Sequence, residues 1–263
     1  MATPIGNLGD LSPRASALLA AAVLVAAEDT RVSGKLVRGA GGTGRLVSLT
    51  EHNVTERTPV ILDAARSGAV ALVSDAGTPG VSDPGARLVE AAHLAALLVV
   101  AVPGPSALAA AVSISGFEGS DVHFLGFLPH SRGERRTRLL RAASAAATLV
   151  FFESPNRLSD TLLELAVALN DPEVAVCREL SKVHEEVVRG RASGLATRFR
   201  ETRGEVTVVV RVVPPEFADE AGLRAYMQEM RRAGARRAAA AAEAARRFGV
   251  TRERAYAFWE DIP

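Results

Sequence analysis

The sequence predicts an α/β protein made of two α/β domains with a cleft between them, followed by a small C-terminal helical appendage. Three observations carry this expectation. Short apolar runs alternate with helix-length segments over the first 213 residues, the pattern of strands packed against helices. Glycine- and proline-rich turns follow several of those runs, where open α/β sheets place their ligands. Beyond Pro214 and Pro215 the composition turns Ala- and Arg-rich and loses its strand signals.

Taken in order, the loop PIGNLGD (4–10) leads into a helix that Ser12 and Pro13 open as N-cap and first-turn residue. The run ASALLAAAVLVAA (15–27) imitates the apolar part of a signal peptide. It follows Asp10 rather than a basic cluster and is too short to span a bilayer, so a buried segment is expected. Strands are predicted at VLVAAE (23–28), LVSL (46–49), VALVS (70–74), LLVVAV (97–102), VHFLGF (122–127), TLVFFE (148–153), VAVCRE (174–179), EEVVRG (185–190) and EVTVVVRVV (205–213). Thr55 with Glu56 opens one intervening helix, and Ser154 with Pro155 another that runs towards Asn170. The break at SISGFEGSD and the proline pair divide the chain into domains 1–115, 116–213 and 214–263. The last holds three short helices with a turn at Gly249, resembling a helix-turn-helix. Its nine arginines face eight acids, so a packing module is as open there as a nucleic-acid reader.

A formal net charge of +1 forces no polyanionic partner, and any basic patch must be local. The single cysteine, Cys177 in the apolar run VAVC, excludes a disulfide framework and fits a core position in a reducing cytoplasm. Histidines stand alone, and no spacing calls for a metal. Only two of the 31 basic residues are lysines, Lys35 and Lys182.

The stretch SDAGTPGVSDPG (74–85) holds three glycines, two prolines, two aspartates and three hydroxyl side chains, more than a strand-to-helix connection requires. No phosphate-cradling G-x-x-x-x-G-K-[ST] occurs, and no G-x-G-x-x-G stands between a strand and a helix. Asp75 and Asp83 would repel a phosphate, yet they accept hydrogen bonds from ribose hydroxyls or an ammonium group. This chemistry prefers a nucleoside with positive charge.

In the same order along the chain, ATPIGNLGD, AAEDTR, EHN, ALVSDAGTPGVSDPG, VPGPSA, GFLP, FFESPNR and RELSKVHEE closely resemble the ribosomal RNA small subunit methyltransferase I family. The resemblance covers residues 2 to 213. It implies the tetrapyrrole-methylase fold, with S-adenosylmethionine in the cleft between domains. It further implies 2′-O-methylation of a decoding-centre cytidine in 16S rRNA of the small ribosomal subunit, by a cytoplasmic homodimer with no membrane association. Carried over by motif, the cofactor contacts are Asp75, Ala76, Gly77, Thr78, Pro79, Ser82 and Asp83. Pro103, Gly104, Pro105, Ser106 and Ala107 form the facing wall. Glu153 and Ser154 close the adenosine end, where a helix cap is the plain structural alternative.

Methyl transfer to a hydroxyl demands alignment and a group that takes the proton. Asp10, the cluster of Glu28, Asp29 and Arg31, and Lys182 are the catalytic candidates, the lysine acting as a base if its pKa is depressed. Against them stand a solvated rim and a surface salt-bridge ladder. Arg132, Arg135, Arg136, Arg138 and Arg141 form a local RNA-binding stripe if exposed. Met1 stands where the family has a short apolar strand before ATPIGN, so either the chain begins upstream or that strand is missing, which weakens Asp10 most. AAHLAALLVV also lacks the glycine usual before the strand that leads to PGPS. Two rivals remain. One is a methylase of this fold acting on a porphyrinoid or a protein; the other is a non-catalytic ribosome-associated RNA-binding protein.

Overall fold

The structure, a computed structural model, describes residues 1–83, 85–144, 146–212, 220–248, 250 and 252–260. It divides into two compact units, Met1–Val212 and Val213–Pro263.

The first unit opens with a single 3-10 turn at Leu8–Asp10 and then α1, Pro13–Ala21. Ser12 caps α1 as expected, its Oγ accepting the Ala15 amide at 3.1 Å. There follow β1 (Leu24–Ala27), α2 (Thr30–Gly39), β2 (Arg45–Ser48), α3 (Val54–Ser67), β3 (Val70–Val73), α4 (Gly85–Leu94) and α5 (Ala107–Ser115). The strands form a parallel sheet in the order β2-β1-β3. All four residues of the central β1 are buried, because the sheet is covered on both faces. Val25 and Ala27 pack towards Leu19 and Val37 on one side, while Leu24 and Ala26 pack towards Ile61 and Leu88 on the other.

The run 97–102 forms no strand, contrary to its apolar pattern. Among the described residues its backbone ladder reduces to the Ala2 amide donating to the Val102 carbonyl at 3.0 Å. A strand needs a partner of comparable length, and without one Leu98 and Val100 stay exposed. Met1 to Thr3 lie alongside, with the Met1 ammonium on the Leu72 carbonyl and Thr3 exchanging both backbone bonds with Gly77.

Next come β4 (Val122–Phe127), α6 (Arg132–Ala143), β5 (Thr148–Glu153), α7 (Leu158–Ala168), β6 (Glu173–Arg178), β7 (Glu186–Arg191), α8 (Ala192–Arg198) and β8 (Val206–Arg211). Helix α7 starts later than the sequence predicts: Pro155 to Arg157 form a turn, with the Arg157 amide on the Ser154 carbonyl. The sheet order is β4-β5-β8-β6-β7, with β8 antiparallel to both neighbours. Side chains alternate strictly. Leu149, Phe151, Val174, Val176, Val208 and Val210 face α6, α7 and α8, while Val150, Ala175, Cys177 and Val209 face α5. Helix α5 reaches this sheet because ALAAAVSIS is small and apolar, and Gly116 ends it in the left-handed region at φ 68°.

The second unit contains α9 (Glu220–Arg232), α10 (Arg237–Phe248) and α11 (Arg252–Glu260), packed around Leu223, Met227, Ala241, Ala244 and Phe258. Pro214, Pro215 and Gly249, on which the expected boundary and turn rest, lie outside the described residues. Among the described residues no helix is long and apolar enough to cross a membrane.

Candidate active site

A cavity of about 440 Å³ opens at the edge where both sheets of the first unit end their strands. Parallel β1 and β3 deliver Glu28 and Ser74–Asp75 from their carboxyl ends, and β4 and β5 deliver Phe127 and Phe152–Glu153. Strand β8 runs the other way, so its first residues come level with those ends: Val206 pairs with Glu153 and Thr207 with Cys177. The volume lies within the range of nucleoside and cofactor sites.

The 74–83 loop is braced by its own polar groups. Asp83 Oδ1 accepts the amides of Gly80 at 2.7 Å and Gly85 at 2.8 Å. Ser74 Oγ donates to the Gly77 carbonyl at 3.1 Å, and Thr78 Oγ1 to the Pro105 carbonyl at 3.2 Å. Asp75 Oδ1 accepts the Asp29 amide at 2.9 Å, tying the loop to the end of β1. Gly77 at φ 80° and Gly80 at φ 85° use the left-handed region, and Ser82 at φ 66° occupies it without glycine's freedom.

Of the residues expected at the cofactor, Asp75, Ala76, Gly77, Thr78, Ser82, Asp83, Ser106, Ala107, Glu153 and Ser154 line the cavity. Pro79, Pro103, Gly104 and Pro105 do not; Pro105 acts one step removed, by holding Thr78. Glu153 is fully buried and accepts Thr161 Oγ1 at 2.7 Å, the Ser154 amide at 2.8 Å and Arg157 Nη2 at 3.2 Å. Arg157 in turn reaches the carbonyls of Leu128 and Pro129, so FFESPNR pins the segment after β4 to the end of β5.

The catalytic candidates separate clearly. Glu28 lines the cavity, and its pKa is raised by partial desolvation and then by Asp75 and Asp83, with Glu51 and Asp29 adding to the effect. Asp29 caps α2 and holds Arg31 at 2.7 Å. The hydrogen bonds from Arg31 depress its pKa to about 2, which leaves a poor base. Asp10 sits exposed in the 3-10 turn and does not line the cavity. Lys182 is corrected from the expected depressed pKa. Burial lowers it, but hydrogen bonds to Glu179 at 2.8 Å and Glu205 at 3.0 Å more than offset that, so the ammonium keeps its proton. Glu179 at φ 53° and Ser181 at φ 65° hold this turn in the left-handed region, and a Cβ at Gly6 would collide with the Lys182 side chain.

Of the five arginines expected to form a stripe on α6, Arg135 alone is buried. Arg135 is 6% exposed and grips Glu164 of α7 through Nε at 2.6 Å, with Nη2 on the other carboxylate oxygen. Arg132 shares Glu164 at 2.7 Å, and Arg138 donates to the Leu125 carbonyl. Only Arg136 and Arg141 of the five stand exposed without an acceptor among the described residues. Burial of Arg135 follows from a helix register that places it one turn before Leu139, on the inward face.

Residues that sequence reasoning missed include Phe127, Phe152, Leu180, Cys177 and Glu205–Thr207. Burial pushes the Cys177 thiol up to about 12, so it lines the cavity as an uncharged group. Phe127 is aimed there by a bulge: the β4–β5 register shifts between Phe124 and Phe127, and Gly126 adopts φ 61°. Both phenylalanines therefore meet the edge of Phe152, and Phe127 stays 58% exposed. The signal available in sequence was an aromatic at each strand end, in GFLP and FFESP. Among the described residues no group of three His, Cys, Asp or Glu side chains is placed to hold a metal ion.

A two-sheet α/β unit with a strand-end cleft defines a class, and residues 2–196 match the family described as Tetrapyrrole (Corrin/Porphyrin) Methylases. The uroporphyrin-III C-methyl transferase of Thermus thermophilus, solved with S-adenyl homocysteine, superposes with a TM-score of 0.55 at 21% identity over 79% of this chain and 94% of that one. A ribosomal RNA small subunit methyltransferase I of Mycobacterium tuberculosis is 45% identical over 240 residues, 89% of this chain and 84% of the relative. The same protein of Micromonospora olivasterospora is 44% identical over 222 residues, 83% and 71% of the two chains. The chain belongs to the ribosomal RNA small subunit methyltransferase I family, within the tetrapyrrole methylases, and is a methyltransferase.

Proposed function

We propose that this protein transfers the methyl group of S-adenosylmethionine to the ribose 2′-hydroxyl of a cytidine in the 16S rRNA of the small ribosomal subunit. The reaction is cytoplasmic and the working form a homodimer, with lobes 1–115 and 116–213 closing on the cofactor. The relatives' names supply the RNA class. The observation that carries the chemistry is Glu28, a carboxylate with a raised pKa beside Asp75 and Asp83 in a nucleoside-sized cavity.

The lining fits the cofactor. Carboxylates on one wall favour a sulfonium and an ammonium, and the apolar wall of Phe152, Leu180 and Val206 suits an adenosine. When bound, S-adenosylmethionine supplies an electrophilic methyl group on a positively charged sulfur. Glu28 accepts the proton of the attacking hydroxyl as its oxygen bonds to that methyl carbon and the sulfur–carbon bond breaks. A raised pKa makes Glu28 a better base than an ordinary glutamate. Asp75 and Asp83, fixed by backbone amides, hold the field that favours the cation without reorganising. Glu153 and Arg157 keep the opposite wall in place.

The test is transfer of tritiated methyl to small subunits that lack the modification, followed by mapping of the labelled nucleotide. Label on a cytidine ribose is the expected result; label on a base, or on ribosomal protein, overturns the reaction.

A further inference from the structure

A second cationic surface lies away from α6, where Arg132 and Arg135 share Glu164. A polar groove of about 660 Å³ runs beside α8 and the segment that follows it, lined by Arg178, Arg198, Arg200 and Arg203 together with Glu186 and Glu201. Four guanidiniums face two carboxylates, an excess of two positive charges. Glu186 is shared between Arg178 at 3.0 Å and Arg198 at 2.7 Å, a clamp that fixes both side chains. Arg200 and Arg203 are exposed and have no acceptor among the described residues.

The groove adjoins the methyl-transfer cavity through the chain itself. Asn156 lines the groove while Ser154 and Pro155 line the cavity, and Arg203 lines the groove while Gly204 and Glu205 line the cavity. An RNA strand whose phosphates lie on the groove is thereby directed towards the cavity, because lining residues of the two are neighbours in the chain. Acidic substrates of other shapes gain less, because a guanidinium row recognises successive phosphates.

We propose that the arginine groove formed by Arg178, Arg198, Arg200 and Arg203 binds the phosphate backbone of the RNA that carries the acceptor ribose. This rests on the RNA reading above, and methyl transfer by the parent protein tests that reading separately. The experiment here is binding of a fluorescently labelled, unmodified 16S rRNA transcript at several KCl concentrations, with S-adenosylmethionine affinity measured alongside by calorimetry. Arg200→Glu with Arg203→Glu is expected to weaken RNA binding by about tenfold or more. The slope of log affinity against log salt becomes shallower by about 1 to 2, as two phosphate contacts are lost. Cofactor affinity stays at the parent value. If charge reversal abolishes cofactor binding through misfolding, the Arg200→Gln, Arg203→Gln pair reads the same slope. RNA affinity within about twofold of the parent overturns the proposal, as does a loss found instead with Arg136→Glu and Arg141→Glu on α6.

Discussion

Glu28 and Glu153 occupy matching places in sequence, each closing an apolar strand run, VLVAAE and TLVFFE. Both line the same cavity. Glu153 is fully buried and held by Thr161, Arg157 and a backbone amide. Glu28 is exposed, has no hydrogen bond to its carboxylate among the described residues, and faces other carboxylates. One is therefore held as a keystone, while the other stands unpartnered among acids, as the proposed base requires. The difference lies in the neighbouring chain: a helix one turn beyond β5 offers Glu153 a hydroxyl and a guanidinium, whereas the loop beside β1 offers Glu28 only acids.

The largest effect that tests this contrast is Glu153→Ala. Removing one partner leaves Arg157 uncompensated beside the cavity, and breaking such a pair costs about 3 kcal/mol or more. Chemical denaturation is expected to show that loss, with Glu153→Gln recovering part of it. A stability change under about 1 kcal/mol would remove the keystone role.

Glu28→Gln is the converse. Folding is retained, but kcat falls by about 100-fold or more if the carboxylate takes the proton. In the parent, the acidic limb of kcat/KM lies above the ordinary glutamate value of 4.5, because the folded pKa is raised and the base must be ionised. A variant with parental kcat, or a limb at the ordinary value, returns Glu28 to the cavity rim.

A smaller effect sharpens the comparison where the two walls meet. Gly126→Ala places a Cβ in the left-handed region, at φ 61°, and 2.9 Å from Ser82 Oγ. The conformation costs about 1 to 2 kcal/mol, and Phe127 loses its aim. The expected readout is a modest fall in stability with a larger rise in KM; unchanged KM would show that the bulge is only a local adjustment.

How much of this was legible in sequence follows from which partners are local. The short apolar runs of β5, β6 and β8 and the turn composition of 74–85 are local, and they announced both the fold and one wall of the cavity. The run 97–102 carried the same apolar signal yet forms no strand, because pairing depends on a distant segment. Arg135 was hidden for a related reason: its partner Glu164 lies on another helix. Glu205 to Thr207 escaped because only the antiparallel insertion of β8 between β5 and β6 brings them to the cavity. Lys182 read as a base because its two acids are separated in sequence, Glu179 nearby and Glu205 beyond α8.

The smallest predicted effect concerns stability, and it separates the two glutamates by sign. A carboxyl whose folded pKa is raised binds its proton more tightly in the native chain than in the unfolded one. Its contribution therefore favours folding below the ordinary value of 4.5 and is lost as pH rises through the raised folded value. Above that window the charge at Glu28 opposes folding, and Glu28→Gln removes the opposition. The variant's melting temperature should exceed the parent's at neutral pH by a small margin, since Glu28 is exposed and salt screens its neighbours. The two curves should converge below the ordinary value, where the parent's carboxyl is neutral too. A lowered melting temperature at neutral pH, as expected for any substitution of Glu153, would mean that Glu28 also has a partner and that the contrast between the two strand ends is wrong.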